Sequence, residues 1–99
     1  MYGTIARFKV KADMEGSLRE HLNEFGRTDT NGFVASALYK ADGGDQEYWL
    51  AVIFDDQASY RANAESPEQD ARYQVMRSYL ESDPEWHDGE VLGRFLPGS

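Results

Sequence analysis

One predicted β-strand constrains the fold more than any other segment of this chain. Residues 48–54 read Tyr-Trp-Leu-Ala-Val-Ile-Phe, so apolar side chains occupy both of the faces that alternate along a strand. A strand with one face in water would instead alternate apolar and polar residues. This strand is therefore predicted to lie within a sheet that is covered on both faces.

Local signals divide the rest of the chain into six further elements. Alternation of apolar and polar residues marks strands, apolar residues at helical spacing mark helices, and Gly43-Gly44 predicts a hairpin turn between the second and third strands. In chain order the predicted elements are a strand at 2–11, a helix at 13–25, strands at 33–40 and 47–54, helices at 55–64 and 66–80, and a strand at 90–96.

Capping residues set the expected helix ends. Asp13 is the expected N-cap of the first helix and Gly26 its expected stop. Asp55 or Asp56 is expected to cap the second helix, and Ser66, which is followed by a proline and a capping-box glutamine, to cap the third.

This element order predicts one α+β domain over residues 1–99. Hairpin-linked central strands flanked by two crossovers form a four-stranded antiparallel sheet with the helices on one face, the ferredoxin-like β-α-β-β-α-β sandwich. The other face carries Trp49, Ala51 and Ile53 beside Ile5, and nothing in this chain is left to cover it. An uncovered apolar face of that size usually marks an interface. We therefore expect a homodimer in which two copies pack sheet to sheet.

Composition argues against several classes of partner. Ten basic and eighteen acidic side chains give a net charge of −8, which repels phosphate backbones and anionic lipids, so neither nucleic acid nor a membrane is an expected partner. No apolar run approaches the roughly 18 residues of a membrane span, and no leader pattern opens the chain, so a cytoplasmic location is expected. The absence of cysteine excludes disulfides, thiolate metal sites and a cysteine nucleophile.

Three segments of the chain carry a resemblance to a known family. They are residues 5–11 ahead of an acidic helix, Gly32-Phe33 at the start of the second strand, and residues 48–54 followed by 55–60. Over residues 2–96 the chain thereby resembles the antibiotic biosynthesis monooxygenase-like superfamily of dimeric α/β barrels. The resemblance implies a pocket between helices and sheet that holds a small hydrophobic or aromatic ligand. Its implied lining is Ala6, Phe8, Leu50, Val52, Phe54, Tyr60, Asn63, Tyr73 and Met76.

The resemblance also separates the activities found in this superfamily. Haem-degrading members use an asparagine, a tryptophan and a histidine, and the corresponding positions here look like Ala6, Phe54 and Tyr73, so none of the three matches. Quinol oxygenase-like members often carry a histidine where this chain has Asn63, so a general base is missing at that position. The cofactor-free polyketide oxygenases surround their pocket with polar and aromatic groups, and Asn63, Tyr73 and Arg72 match those in type. These three are the expected donors to a substrate anion, and no cofactor is expected.

Each of these donors also has an ordinary structural interpretation. Tyr73 can be a core tyrosine with a bonded hydroxyl, Asn63 a polar residue at a helix end, and Arg72 a solvent-facing or ion-paired residue.

The two histidines differ in their surroundings. His21 is predicted to be a surface residue, whereas His87 follows Trp86 and precedes Asp88, which makes it a candidate for an oriented base or a ligand contact. The alternative is a structural turn anchored by Trp86. Two histidines without cysteine make poor transition-metal geometry, so no metal site is expected.

The sequence thus favours a homodimeric, cofactor-independent monooxygenase-like protein acting on a small aromatic or quinol-type molecule. The alternative is a non-catalytic dimer that binds a small hydrophobic ligand or serves as a scaffold. An open cavity with converging polar side chains favours the first interpretation, and a filled interior favours the second.

Overall fold

The computed structural model describes residues 1–43 and 46–98, and within them the chain forms four strands and three helices. In chain order these are β1 (Tyr2–Lys9), α1 (Glu15–Arg27), β2 (Phe33–Lys40), β3 (Glu47–Phe54), α2 (Gln57–Ala64), α3 (Pro67–Ser78) and β4 (Glu85–Glu90). The predicted α+β element order is confirmed. The predicted Gly43-Gly44 turn includes Gly44, which lies outside the described residues.

The strands form one antiparallel sheet in the order β2-β3-β1-β4, as the ferredoxin-like prediction requires. Residues paired directly across neighbouring strands share a face, so the register defines an inner face toward the helices and an outer face. The inner face carries Thr4, Ala6, Phe8, Tyr48, Leu50, Val52, Phe54, Trp86 and Asp88. The outer face carries Gly3, Ile5, Arg7, Ala35, Ala37, Tyr39, Trp49, Ala51, Ile53, Glu85 and His87.

The hydrophobic core lies between the inner face and the helices. Leu18 of α1 and Met76 of α3 pack into it, and full burial of an apolar side chain contributes about 1.5–3 kcal/mol to stability. The buried members of this cluster are Ala6, Phe8, Val10, Leu18, Tyr48, Leu50, Met76 and Leu80.

The caps of α2 and α3 follow the sequence prediction. The side chain of Asp56 accepts a hydrogen bond from the backbone N–H of Ser59 at 2.8 Å, so Asp56 rather than Asp55 is the cap. The Ser66 hydroxyl accepts from the N–H of Gln69 at 3.1 Å. Both caps satisfy amides that a helix start leaves without a partner.

The ends predicted for α1 are wrong at both sides. Asp13 has a φ of 65° in a tight turn in which the N–H of Met14 donates to the carbonyl of Lys11 at 3.1 Å, and the N-cap is Met14 without a side-chain bond. The helix continues through Gly26 and ends at Arg27, where the Thr28 hydroxyl donates to the carbonyl of Phe25 at 2.6 Å. A hydroxyl therefore closes this helix where a glycine was expected.

The last strand was predicted at residues 90–96 but lies at Glu85–Glu90. After α3 the chain joins the edge of β1 at once, because Leu80 bridges Val10 and the N–H of Glu81 donates to the carbonyl of Lys9 at 3.0 Å. β4 then pairs antiparallel with β1 from Arg7 to Tyr2, and the pairing ends where β1 begins. The available partner backbone, rather than the apolar character of residues 91–96, sets the position of this strand.

The outer face remains uncovered within the described part of the chain. Ile5 at its centre is 50 % exposed, while Trp49, Ala51 and Ile53 are partly buried. None of the described helices has the length and apolar character that crossing a membrane requires.

Candidate functional site

A cavity of about 400 Å³ lies between the inner face and the three helices. Its volume falls within the range of roughly 300–1,000 Å³ that is typical of small-molecule sites. Its walls are mainly apolar and aromatic, with polar side chains concentrated at two places. The lining consists of Thr4, His21, Leu22, Phe25, Leu50, Val52, Phe54, Tyr60, Asn63, Ala64, Gln69, Asp70, Arg72, Tyr73, Met76, Trp86 and Asp88.

The two short helices after β3 bring polar groups to the cavity. Because Asp56 starts α2 directly after β3, Tyr60 lies over the end of the sheet, where its ring contacts Tyr2 and Phe54 at centroid distances of 5.2 and 5.7 Å. Asn63 follows near the end of the same helix.

Arg72 is the centre of one polar cluster. Its Nε donates to Oε1 of Gln69 at 3.1 Å and its Nη2 donates to Oδ1 of Asn63 at 3.2 Å. The guanidinium carbon lies 4.9 Å from the centroid of the Phe25 ring, which adds a cation–π contact. We call Asn63, Gln69 and Arg72 the Arg72 cluster.

His21 joins this cluster from α1. Its Nε2 lies 3.0 Å from the backbone carbonyl oxygen of Arg72, which can only accept a hydrogen bond. Nε2 therefore donates, and in the neutral ring Nδ1 keeps the lone pair.

Tyr60 and Asp88 form the second polar cluster of the cavity wall. The Tyr60 hydroxyl donates to Oδ1 of Asp88 at 2.9 Å, which connects α2 to β4. Burial raises the pKa of Tyr60 to about 12, and the bond to Asp88 acts in the same direction.

Tyr73 lines the cavity with its ring, which lies 6.1 Å from the ring of Trp86. Burial raises the pKa of Tyr73, Asp83 raises it further, and Arg77 lowers it.

The structure brings most of the sequence-predicted pocket residues together. Those that line the cavity are Leu50, Val52, Phe54, Tyr60, Asn63, Arg72, Tyr73 and Met76. Ala6 and Phe8 do not line it, because both are buried within the core. Ala6 is paired with the lining residues Leu50 and Trp86, and Phe8 lies two residues further along β1.

His87 does not reach the cavity. It is paired with Ile5 across the sheet, so it lies on the outer face, exposed, with Nε2 3.0 Å from Oε1 of Glu85. Side chains alternate between the two faces along β4, so His87 lies on the outer face while its neighbours Trp86 and Asp88 point to the inner face.

Several cavity residues were missed by sequence reasoning. His21 was predicted to lie at the surface, yet it is three residues after the buried Leu18 and four before Phe25, which places it on the helix-facing stripe. Thr4 lies two residues before Ala6 on β1, so the alternation of the strand predicts that both side chains point toward the helices. Trp86 and Asp88 could not be found while β4 was assigned to residues 90–96.

A second, more polar cavity of about 380 Å³ lies between α1 and β2. Its polar groups bond to one another: the Tyr48 hydroxyl and the Lys40 ammonium both donate to Oε1 of Glu15, at 2.6 and 2.9 Å. This cluster ties elements together, and the first cavity remains the candidate functional site.

A sequence profile of the antibiotic biosynthesis monooxygenase family matches residues 1–79. A search of curated protein sequences returned no significant match.

Solved structures with the same fold cover nearly the whole chain. SnoaB from Streptomyces nogalater, described as a cofactor-independent oxygenase, is 20 % identical with a TM-score of 0.73, over 97 % of this chain and 96 % of its own. A protein from Chloroflexus aurantiacus assigned to antibiotic biosynthesis monooxygenases is 18 % identical with a TM-score of 0.75, over 98 % of both chains. One from Caulobacter crescentus with the same assignment is 10 % identical with a TM-score of 0.77, over 93 % of this chain and 90 % of its own. At these sequence identities the similarity shows a shared fold and nothing more.

Proposed function

The chain belongs to the antibiotic biosynthesis monooxygenase family, and from this membership and its cavity we propose that it is a homodimeric, cofactor-independent oxygenase of a small aromatic or quinol-type molecule. The observation that carries the proposal is the Arg72 cluster in the wall of an open, largely apolar cavity. The similarity of fold to SnoaB is consistent with it.

The proposed reaction uses electrons of the substrate to reduce dioxygen. When a methylene flanked by aromatic rings becomes a carbonyl, one oxygen atom of O₂ enters the product and the other leaves as water, so no external reductant is needed. The protein has to supply a base, donors for the substrate anion and a site that excludes water.

Arg72 is the proposed donor to the substrate anion. Gln69 and Asn63 each accept from one of its N–H groups, which fixes the guanidinium plane and leaves N–H groups that no described residue uses. Asn63 therefore acts by orienting Arg72, and Tyr73 forms an aromatic wall with Trp86.

His21 is the proposed base. It is the histidine on the cavity wall, and its bond to the Arg72 carbonyl holds the ring in one tautomer next to the proposed donor. In that tautomer Nδ1 can accept a proton from the substrate.

Oxygen consumption tests the catalytic proposal. We expect purified protein to consume O₂ with members of a panel of anthrone-type and quinol substrates. Arg72→Gln should lower kcat by about 100-fold, the usual effect of removing a donor to a developing anion. Arg61→Gln, at an exposed position of α2, is the matched control and should leave kcat unchanged.

Two other outcomes would change the proposal. Binding of these molecules without oxygen consumption would favour a non-catalytic ligand-binding protein. Loss of activity in His87→Gln, with Arg72→Gln unaffected, would support the sequence-based prediction for His87 and contradict the role given to the Arg72 cluster.

The homodimer in this proposal rests on the outer face. Apolar residues around Ile5 occupy its centre, and charged side chains lie beside them, including Arg7, whose Nε donates to Oε1 of Glu47 at 2.6 Å. An apolar centre with a polar rim is the usual composition of a protein interface. A second copy of the chain would offer the same pattern and cover this face with a two-fold symmetric contact.

A further inference from the structure

The Thr4 hydroxyl is buried in the cavity wall without a hydrogen-bond partner. Thr4 is 6 % exposed, it lies on the inner face of β1, and its Oγ1 makes no hydrogen bond to any described residue. Buried hydroxyls in folded proteins almost always have a partner, so an exception in a cavity wall takes one from the cavity, either a water or a group of a bound ligand.

Two further polar groups lie close to Thr4. Asp88 is its direct neighbour across the β1–β4 pair, and Tyr60 donates its one hydroxyl hydrogen to Asp88. The Thr4 hydroxyl lowers the pKa of Tyr60 by hydrogen bonding, against the larger effects of burial and Asp88, but the contact does not reach hydrogen-bond geometry and leaves Oγ1 of Thr4 without a partner. Because the Tyr60 hydrogen is already used, the Tyr60 oxygen can only accept.

We propose that Thr4, Tyr60 and Asp88 form a subsite for an uncharged hydroxyl of the aromatic ligand, which deepens the proposed function and rests on the same cavity. The ligand hydroxyl donates to the carboxylate of Asp88 and accepts from the hydroxyl of Thr4. The Thr4 hydroxyl then has the partner that the protein alone does not give it.

The opposite charges of Arg72 and Asp88, in the two polar clusters of the cavity wall, orient the ligand. A carboxylate repels an anionic oxygen, whereas a guanidinium attracts one. An aromatic molecule with a neutral hydroxyl on one side and an ionisable oxygen on the other therefore binds with the hydroxyl at Asp88 and the anion at Arg72. The substrate class is a hydroxylated aromatic whose reacting end faces the Arg72 cluster.

A purely structural role is the competing explanation. The Tyr60–Asp88 bond connects α2 to β4 whether or not a ligand is present. The two explanations differ in whether Thr4 discriminates between ligands, because a structural residue affects the binding of all ligands alike.

Paired ligands test this discrimination. Calorimetric titration with 2-naphthol and with 2-methoxynaphthalene compares a hydroxyl with its methyl ether on one ring system. We expect Thr4→Val, which keeps the side-chain shape, to weaken 2-naphthol binding about tenfold and to leave the ether unchanged, since a lost hydrogen bond of this kind is worth about that factor. Thr4→Ser keeps the hydroxyl and should keep the preference. Asp88→Asn, which still accepts from Tyr60, should also reduce it.

The outcomes separate this inference from the proposed function. An equal effect of Thr4→Val on both ligands, or none on either, overturns the subsite even if the protein consumes oxygen. Selective binding with no oxygen consumption by any panel substrate supports the subsite and contradicts the oxygenase. If the wild type binds neither ligand, the subsite is overturned. We expect Thr4→Val to melt no lower than the wild type, because a methyl group replaces an unbonded buried hydroxyl, so a folding defect should not obscure the result.

Discussion

At the scale of single residues, Gly3 shows how closely the two central strands approach. It pairs with Ile53, and a Cβ at this position would collide with the carbonyl oxygen of Val52, which is backbone and cannot turn away. Gly89 pairs with Gly3 from the other side, and a Cβ there would meet nothing within 4 Å. The two glycines are neighbours with different constraints.

Gly3→Ala is expected to lower the free energy of unfolding by at least about 2 kcal/mol, because β1 and β3 must separate to admit the methyl group. Gly89→Ala is the control and should change it by less than about 0.5 kcal/mol. Urea unfolding at one protein concentration measures both. Equal effects of the two substitutions would contradict the close approach at Gly3.

At the scale of elements, one polar cluster ties α1 to the hairpin of β2 and β3. The Tyr48 hydroxyl and Lys40 both donate to Glu15 in the first turn of α1, and the Lys40 ammonium lies 5.8 Å from the centroid of the Tyr48 ring. The hydrogen bond from Tyr48, followed by that from Lys40, holds the pKa of Glu15 below its usual value of 4.5. A helix without a side-chain N-cap is thus fixed by a tertiary contact at its start.

This cluster should make part of the stability depend on pH. The pKa of Glu15 is lower in the folded than in the unfolded chain, so its stabilisation is complete above pH 4.5 and is lost as the pH falls through the folded value. The difference in Tm between wild type and Glu15→Gln should therefore be constant from pH 7 to 4.5 and shrink below that. In a Tyr48→Phe background the effect of Glu15→Gln should be smaller at pH 7; an unchanged effect there would show that Tyr48 is not the main cause.

At the scale of the whole molecule, the uncovered apolar surface is the dominant feature. The outer face carries Ile5 at its centre, and after β4 the side chains of Leu92 and Phe95 are 90 and 94 % exposed. Exposed apolar residues in such number are unusual for a chain that acts alone. Association of two copies would remove much of this surface from water.

Ile5→Lys is expected to convert the proposed dimer into a monomer, because each copy would place an unpaired ammonium at the centre of the apolar outer face. Half of the Ile5 side chain is already exposed in the single chain, so the fold should survive. Sedimentation equilibrium should give twice the chain mass for the wild type and one chain mass for the variant. Gln74→Lys, at an exposed position of α3, adds the same charge and should remain a dimer. A monomeric wild type would contradict the proposal.

The sequence by itself determined the features that depend on neighbouring residues. The apolar residues 48–54, the caps Asp56 and Ser66 and the alternation of residues 2–8 are local signals, and they were enough to predict the element order and the antiparallel sheet. Much of the cavity lining was implied by the family resemblance. Family membership was predictable for the same reason, because the segments that carry the resemblance are contiguous.

Only the tertiary structure decided which distant residues meet. The place of β4 depends on how much of β1 is left to pair with, and that register directs Asp88 toward Thr4 and His87 away from the cavity. His21 approaches Arg72 because α1 and α3 pack over the same sheet, although 51 positions separate the two residues along the chain. Local propensity carries no information about such contacts, since strand register and helix packing are set by the burial and hydrogen bonding of the whole domain.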